Sequence, residues 1–174
     1  MATAKPTPTG RESPFDESEI IVTKTDLKGR ITYANDVFLR VSRFTSAEVV
    51  GQPHSIIRHP DMPRCIFKLL WDTLEAKQEI FAFVVNLASN GDHYWVLAHV
   101  TPSFDGAGNV VGYHSMRRKP DASQVAAIQP LYRQLIEEER RPSSRKDGML
   151  SAHDHLFQTL KSKGVAYDQF VLSV

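Results

Sequence analysis

The chain has 174 residues, of which 41% are hydrophobic and 9% aromatic, enough for an apolar core and more than a globally disordered protein contains. Its 21 Lys and Arg residues nearly balance 20 Asp and Glu residues, so the net charge of +1 lacks the basic surplus of a nucleic-acid-binding protein. The single Cys65 excludes an internal disulfide and a cysteine-cluster metal site. The sequence also lacks a long apolar stretch and a signal peptide. These features predict a cytoplasmic protein that does not insert into a membrane.

The first predicted elements are an arm and a β-hairpin. Residues 1–18 are polar and contain prolines, with no hydrophobic periodicity, which predicts a disordered arm. The β-branched run at residues 20–23 is followed by a turn sequence at residues 26–29 and a second short run at residues 31–33. This pattern predicts a hairpin of two strands.

Helical periodicity begins after the hairpin. Asn35 is a typical N-cap residue, and the apolar residues that follow it recur at helical spacing. Residues 46–63 contain several glycine and proline residues, which prevent a long helix, so this segment is predicted to form short helical turns. Residues 63–76 predict the most regular helix, with one apolar face formed by Phe67, Leu70, Trp71 and Leu74.

Three further strands complete the predicted sheet. Residues 80–87 are apolar almost throughout, and Asn90-Gly91-Asp92 is a strong hairpin turn. Residues 94–101 and 110–117 predict the last two strands, with a glycine-containing turn between them. The element order therefore predicts an α+β fold: a five-stranded antiparallel sheet with helices inserted between strands 2 and 3, covering one sheet face.

The C-terminal part is predicted to be mainly helical. Residues 121–140 predict a helix that either docks on the domain or forms a short dimer seam, because apolar residues recur at helical spacing: Val125, Ile128, Tyr132 and Leu135. Pro130 predicts a break or kink in this helix. Residues 141–174 form a C-terminal extension: a polar linker up to Gly148, an amphipathic helix carrying Leu150, Phe157 and Leu160, and an apolar tail from Val165 that is strand or loop.

Several motifs carry a resemblance to a known family. Residues 25–35 are similar to the opening of PAS sensory domains, and residues 51–63, with the run Arg58-His59-Pro60-Asp61-Met62-Pro63, resemble the signature of the aerotaxis-receptor type. Residues 90–96, Thr101-Pro102, and Gly112-Tyr113 with Arg117 and Pro120 match the same type. The resemblance predicts a PAS domain with the PAS fold over residues 19–120.

The resemblance implies a function as well as a fold. Domains of this type bind FAD noncovalently and report cellular redox state, so we expect a redox or energy sensor. Chemoreceptors of the family continue into membrane helices and a signalling rod, which are not found here. A free-standing PAS protein acting on a chemoreceptor-like protein or a histidine kinase is therefore expected, with residues 121–140 as linker and dimerisation helix of a homodimer.

Three residues of the proline-flanked loop are candidate cofactor ligands. The resemblance implies that Arg58 offers its guanidinium to a pyrophosphate or a flavin carbonyl. It also implies that His59 and Asp61 hold the loop or contact the ring or ribose. From residue types alone, a solvated loop or an Arg58–Asp61 surface ion pair explains the same residues.

Aromatic and amide side chains are the other candidates. Trp71, with Phe67 on the same helix face, and Trp95 are candidate walls for a flat ring, with core packing as the alternative. Asn86 interrupts an apolar strand, so it contacts a flavin edge or makes a cross-strand hydrogen bond. Asn35 has a family counterpart near the cofactor, with helix capping as the alternative.

Other functions stay open at this point. A haem-binding PAS oxygen sensor would use His54 or His59, and a cofactor-free interaction module would fill its pocket with side chains. Cys65 is not in the sequence context of flavin domains that form a covalent photoadduct. The sequence has no Ser-His-Asp set, phosphate-binding glycine loop or usefully spaced carboxylate pair, so we expect no enzymatic activity, and a flavoenzyme is the weakest alternative.

Overall fold

The fold is built around one antiparallel sheet. The computed structural model describes residues 5–174, and its five strands have the spatial order β2-β1-β5-β4-β3. Every neighbouring pair is antiparallel, which confirms the predicted α+β class and sheet. The strands are β1 (Ile21–Thr25), β2 (Ile31–Ala34), β3 (Ile80–Leu87), β4 (His93–Phe104) and β5 (Val110–Arg118).

The helices between β2 and β3 start where the sequence supplies caps. The amide oxygen of Asn35 accepts a hydrogen bond from Phe38 N at 3.0 Å at the start of the first helix, and Thr45 and Glu48 form a capping box at the second. The third helix begins directly after Pro63. These elements are α1 (Asp36–Ser42), α2 (Ser46–Val49), a 3₁₀ helix (His54–Ile57) and α3 (Arg64–Glu75).

The alternation of buried and half-buried side chains along the strands defines the sheet face that these helices cover. Tyr94, Val96, Ala98 and Val100 of β4 are buried, whereas the residues between them are half-buried. The register places Val84 of β3 opposite Val96, so both side chains lie on this inner face. The 3₁₀ helix and α3 lie over the inner face and enclose a cavity with it.

The outer edge of β3 is covered by other parts of the chain. Arg58 forms an antiparallel β-bridge with Asn86, and the Tyr132 hydroxyl donates a hydrogen bond to the carbonyl oxygen of Phe83. An uncovered edge strand offers its backbone groups to other chains. The two contacts therefore protect the sheet on this side.

Residues 5–18 pack on the domain, which corrects the predicted disordered arm for this range; residues 1–4 lie outside the described residues. Ser13 N donates to His93 O and His93 N donates to Arg11 O, both at 2.8 Å, and the Ser13 hydroxyl donates to Val41 O at 2.7 Å. Phe15 is buried. The arm is held mainly by backbone pairing with the start of β4, so it needs no hydrophobic periodicity of its own.

Three C-terminal helices pack on the rest of the chain: α4 (Ala122–Arg140), α5 (Arg145–Ser162) and α6 (Tyr167–Ser173). Ile128, Tyr132 and Leu135 of α4 are buried in the chain's own core, which favours the docked helix over the dimer seam. α4 continues through Pro130 without the predicted break. α5 packs against α3 and α4, and α6 packs against β3. None of the helices within residues 5–174 is long and apolar enough to cross a membrane.

The C-terminal extension, residues 141–174, differs from the prediction in its element boundaries and in its buried face. α5 begins at Arg145, so the linker is shorter than expected, and a helix replaces the strand or loop predicted for the tail. Leu150 and Phe157, predicted for the apolar stripe, are exposed, and the buried face is formed by Gly148, Ala152, Leu156 and Leu160. A Cβ atom at Gly148 would overlap the backbone carbonyl of Glu139. Small residues face α4 here because the two helix backbones approach closely.

Candidate cofactor cavity

A cavity of about 310 Å³ lies between the inner sheet face and the elements inserted before β3. Small-molecule sites typically measure about 300–1,000 Å³, so this cavity can hold a compact ring system. Its walls come from α3, from the 3₁₀ helix and from four strands. Four of the eight predicted ligand residues line it: Arg58, Phe67, Trp71 and Asn86.

Aromatic rings form the helical wall of the cavity. Phe67 and Trp71 lie four residues apart on α3, on the face that lines the cavity. The Trp71 ring meets Tyr113 of β5 edge to face, with 5.3 Å between centroids. The Arg58 guanidinium lies 4.6 Å from the centroid of the Phe67 ring. This wall of flat apolar surface suits a planar ring.

A buried arginine and a histidine form the polar end of the cavity. Arg117 of β5 is 3% exposed, and its Nη2 donates to Thr23 Oγ1 at 2.7 Å and to His54 Nε2 at 2.5 Å. A guanidinium has donors only, so His54 Nε2 accepts and the ring is assigned as neutral. His54 lines the cavity, and burial and, next, the charge of Arg117 lower its pKa to about 3.

The positive charge of Arg117 has no compensating carboxylate. Within residues 5–174, Arg117 forms no ion pair. Burial lowers the pKa of Arg117 to about 10, so it is charged at neutral pH. Because an isolated buried cation is costly, this end of the cavity favours a ligand edge that is anionic or rich in hydrogen-bond acceptors.

Three hydrogen-bond donors of the cavity-lining residues have no protein partner in the described part of the chain. They are Arg58 Nη2, Asn86 Nδ2 and Arg117 Nη1, and each atom is buried. Buried donors are paired in the great majority of proteins. All three residues line the cavity, so a bound ligand that accepts hydrogen bonds is a candidate partner for these donors.

Asn35 and Trp95 lie outside the cavity. The Asn35 amide accepts from Phe38 N and donates to Ile20 O at 2.8 Å, so it caps α1 and ties it to the chain before β1. Trp95 points to the opposite sheet face, where its ring lies 6.0 Å from that of Tyr132. Adjacent residues of a strand face opposite sides, which corrects the expected role of Trp95 as a cofactor wall.

His59 and Asp61 also lie outside this cavity. His59 is buried, and its Nδ1 accepts a hydrogen bond from Asp61 N at 3.0 Å. Burial lowers the pKa of His59, with the nearby Asp61 carboxylate opposing the shift. The Asp61 side chain is 72% exposed. His59 and Asp61 were expected either to hold the loop or to contact the cofactor. The hydrogen bond of His59 fits the first role. Neither side chain lines the cavity that would bind the flavin ring.

The polar end of the cavity was not predicted from the sequence. Arg117 and Thr23 were not among the candidate ligands, and His54 was considered only for haem. Strand alternation could have indicated Arg117, because Tyr113, Ser115 and Arg117 occupy the same phase of β5 and all line the cavity. Arginine is almost never fully buried unless it is paired, so an arginine in the inward phase of a strand marks a position that needs a partner. No local signal indicates His54, whose place depends on how the 3₁₀ helix folds back on β1.

Comparison with known proteins identifies relatives of this chain. A family model described as the PAS fold matches residues 19–118. The aerotaxis receptor of Escherichia coli (strain K12) is 40% identical over 127 residues, which are 73% of this chain and 25% of that receptor. The nitrogen fixation regulatory protein of Klebsiella pneumoniae is 28% identical over 103 residues, 59% of this chain and 21% of that protein. The chain therefore spans at most about a quarter of the length of these curated relatives.

Solved structures share the fold at low sequence identity. The dark structure of the blue-light photoreceptor Aureochrome1 LOV superimposes with a TM-score of 0.57 at 21% identity, over 67% of this chain and 86% of that chain. A PAS domain from Colwellia psychrerythraea superimposes with a TM-score of 0.54 at 19% identity, over 58% of this chain and 86% of that chain. These likenesses show the architecture of the sheet and its inserted helices.

Proposed function

The chain belongs to the PAS family, as its motifs predicted, and we propose that it is a sensor that binds FAD noncovalently, with the flavin ring in the 310 Å³ cavity. It relays redox or energy state to a signalling partner in the cytoplasm and catalyses no turnover. The relation to a bacterial aerotaxis receptor supports the sensory role. The chemistry of the cavity supports the cofactor class.

The observation that carries the proposal is the set of three unpaired buried donors on Arg58, Asn86 and Arg117. The pyrimidine edge of a flavin presents carbonyl oxygens and ring nitrogens that accept hydrogen bonds. The flat flavin ring also suits the aromatic wall of Phe67 and Trp71. The residues of the cavity therefore fit this cofactor in both polarity and shape.

Arg117 would bind the acceptor edge and favour its more negative form. When bound, a flavin supplies a ring that takes up electrons and protons, so its charge and hydrogen-bonding pattern depend on redox state. Arg117 keeps its charge at neutral pH, because its pKa of about 10 is well above 7. His54 is held neutral, so it accepts a hydrogen bond from Arg117 and orients the guanidinium without cancelling the charge.

Asn86 would pass a change at the ligand edge to the outside of the domain. It lines the cavity, and its backbone pairs with Arg58 at the edge of β3. On the same strand, the Phe83 carbonyl accepts the hydrogen bond of Tyr132 from α4. Different hydrogen bonding at Asn86 would therefore bias β3, and the helices packed on it, between two populated states.

The partner in this proposal is a chemoreceptor-like protein or a histidine kinase. Its support is the identity of 40% with an aerotaxis receptor over most of the chain. A homodimer is part of the same proposal. The apolar face of α4 is already buried within its own chain, so a dimer would use a surface other than the predicted seam at residues 121–140.

Haem has less support than a flavin. His54 is the histidine that lines the cavity, and its Nε2 contacts both Arg117 and Thr23. Coordination of an iron by this nitrogen would break both contacts. The unpaired donors also weigh against a cofactor-free module, in which side chains would satisfy one another.

The test begins with the cofactor of the purified chain. The protein is denatured, and the released chromophore is identified by chromatography, with FAD expected. Flavin-free protein is then titrated with FAD. Arg117→Gln is expected to weaken binding about ten- to a hundredfold, because one charge-assisted hydrogen bond is worth roughly 1.5–3 kcal/mol.

Arg118→Gln is the matched control, because it removes the same charge from the next residue of β5, which is exposed. The control is expected to bind FAD as the unmodified chain does. Recovery of haem, or a chain that binds no flavin before or after reconstitution, would refute the proposed cofactor. Equal FAD affinity of the Arg117→Gln and Arg118→Gln variants would remove the role assigned to Arg117.

A further inference from the structure

A second cavity, of about 620 Å³, lies where the arm, the proline-flanked loop and the C-terminal helices meet. Ser55 and Arg58 line both this cavity and the first one, so the two are adjacent at these residues. Lys5 reaches over from the arm, and its ammonium donates to Ser55 O at 2.8 Å and to Arg58 O at 3.1 Å. Ile136 and the ends of α4 and α5 close the other side.

Positive charge dominates this second cavity. Its cationic lining residues are Lys5, Arg58, Arg64, Arg140 and Arg145. The carboxylate among its lining residues, Glu139, already accepts hydrogen bonds from Arg64 Nε at 3.1 Å and from Cys65 N at 2.8 Å. Within residues 5–174, the other four cations form no ion pair.

The cations affect one another across the cavity. Burial and, next, the charge of Arg58 lower the pKa of Lys5. Burial also lowers the pKa of Arg58, opposed by Glu139 and reinforced by Arg64 and Arg145. Clustered like charges favour an anion, and arginine forks match phosphate oxygens in geometry. A diphosphate fits both the charge and the donors.

We propose that the second cavity binds the diphosphate of the flavin dinucleotide whose ring occupies the first cavity, with Arg140 and Arg145 as ligands. This inference rests on the proposed function and deepens it. Arg140 ends α4 and Arg145 begins α5, and both lie outside the part of the chain matched by the PAS model. The C-terminal helices thus complete the cofactor site and select a dinucleotide over flavins without a diphosphate.

The test compares two flavins on the full chain in its flavin-free form. FAD carries the diphosphate and riboflavin carries no phosphate, so their affinities separate the two cavities. The Arg140→Gln/Arg145→Gln variant is expected to bind FAD about a hundredfold more weakly, about tenfold for each charge-assisted contact, and riboflavin unchanged. The matched control is Arg133→Gln/Lys146→Gln, which removes two charges that are exposed on the same helices, as Arg140 and Arg145 are, but do not line the second cavity; it should change neither affinity.

Several results would overturn the assignment. Equal affinity of the unmodified chain for FAD and riboflavin would show that the diphosphate makes no contact. A parallel loss of both flavins in the Arg140/Arg145 variant would indicate a structural role. Inorganic pyrophosphate binding to the FAD-loaded chain, sensitive to the same variant, would assign the cavity to a separate anion. If neither flavin bound to the unmodified chain, the proposed function would fail together with this inference, whereas the first three results leave the flavin ring site intact.

Discussion

Acid should destabilise this protein through His54. An unfolded histidine has a pKa of about 6.5, whereas the folded environment lowers the pKa of His54 to about 3. Its contribution to stability is therefore fully present above the unfolded pKa and is lost as the pH falls from about 6.5 towards 3. Between pH 7 and pH 5 the unfolded chain takes up a proton at this ring and the folded chain does not, which costs about 2 kcal/mol.

The assay is urea denaturation at pH 7 and pH 5 of the unmodified chain and of His54→Gln. Glutamine keeps an oxygen that can accept from Arg117, but it does not titrate. Burial also lowers the pKa values of His59 and His114, and both remain in the variant, so the difference between the two proteins isolates His54. We expect the variant to lose about 2 kcal/mol less than the unmodified chain on acidification.

Equal losses in the two proteins would refute the reasoning. In that case His54 would titrate in the folded state as it does in the unfolded state. Its Nε2 would then stop accepting the hydrogen bond of Arg117 below about pH 6.5, and the lowered pKa assigned to His54 would be wrong.

Three further predictions concern the C-terminal helices and their contact with α3. Glu139→Gln should lower the free energy of unfolding by about 2 kcal/mol in urea denaturation, because the carboxylate binds Cys65 N and the Arg64 side chain, whereas exposed Glu137→Gln should have little effect. Cys65 should resist iodoacetamide in the folded chain and react after unfolding, because burial and then Glu139 raise the pKa of its thiol to about 12; equal rates in both states would contradict this. Backbone amides of residues 150–162 should be protected from hydrogen exchange, since α5 packs on α3 and α4, and exchange at random-coil rates would argue against docking.

The order of strands and helices was predictable because its signals are local. The turn at residues 90–92, the cap at Asn35 and the apolar face of residues 63–76 each act within about one turn or one hairpin. The aromatic wall followed from the same helix face, since Phe67 and Trp71 share it. Arg58 was predicted from the resemblance and Asn86 from its polar side chain in an apolar strand, and the structure brings both to the cavity.

The remaining features depend on contacts between distant segments. The arm pairs with β4 through backbone groups of Ser13 and His93, which leave no mark on the pattern of side chains. Arg117 meets His54 across 63 residues of chain, so no spacing rule connects them. The phase of α5 was mistaken because large residues were assumed to be buried, whereas the contact with α4 is made where side chains are small.

Gly148 has a consequence for recognising other chains that carry this extension. A Cβ atom at this position would lie 2.9 Å from the carbonyl carbon of Glu139, a backbone atom that cannot move aside without displacing α4. Glycine inside a helix lowers its stability by about 1 kcal/mol relative to alanine. Without this close contact, nothing in the helix would favour glycine at this position. A glycine nine residues after the buried glutamate is therefore a diagnostic marker in homologous sequences. Chains that keep it should fold the second helix back on the first, and chains with a bulkier residue there should leave that segment available for a different arrangement.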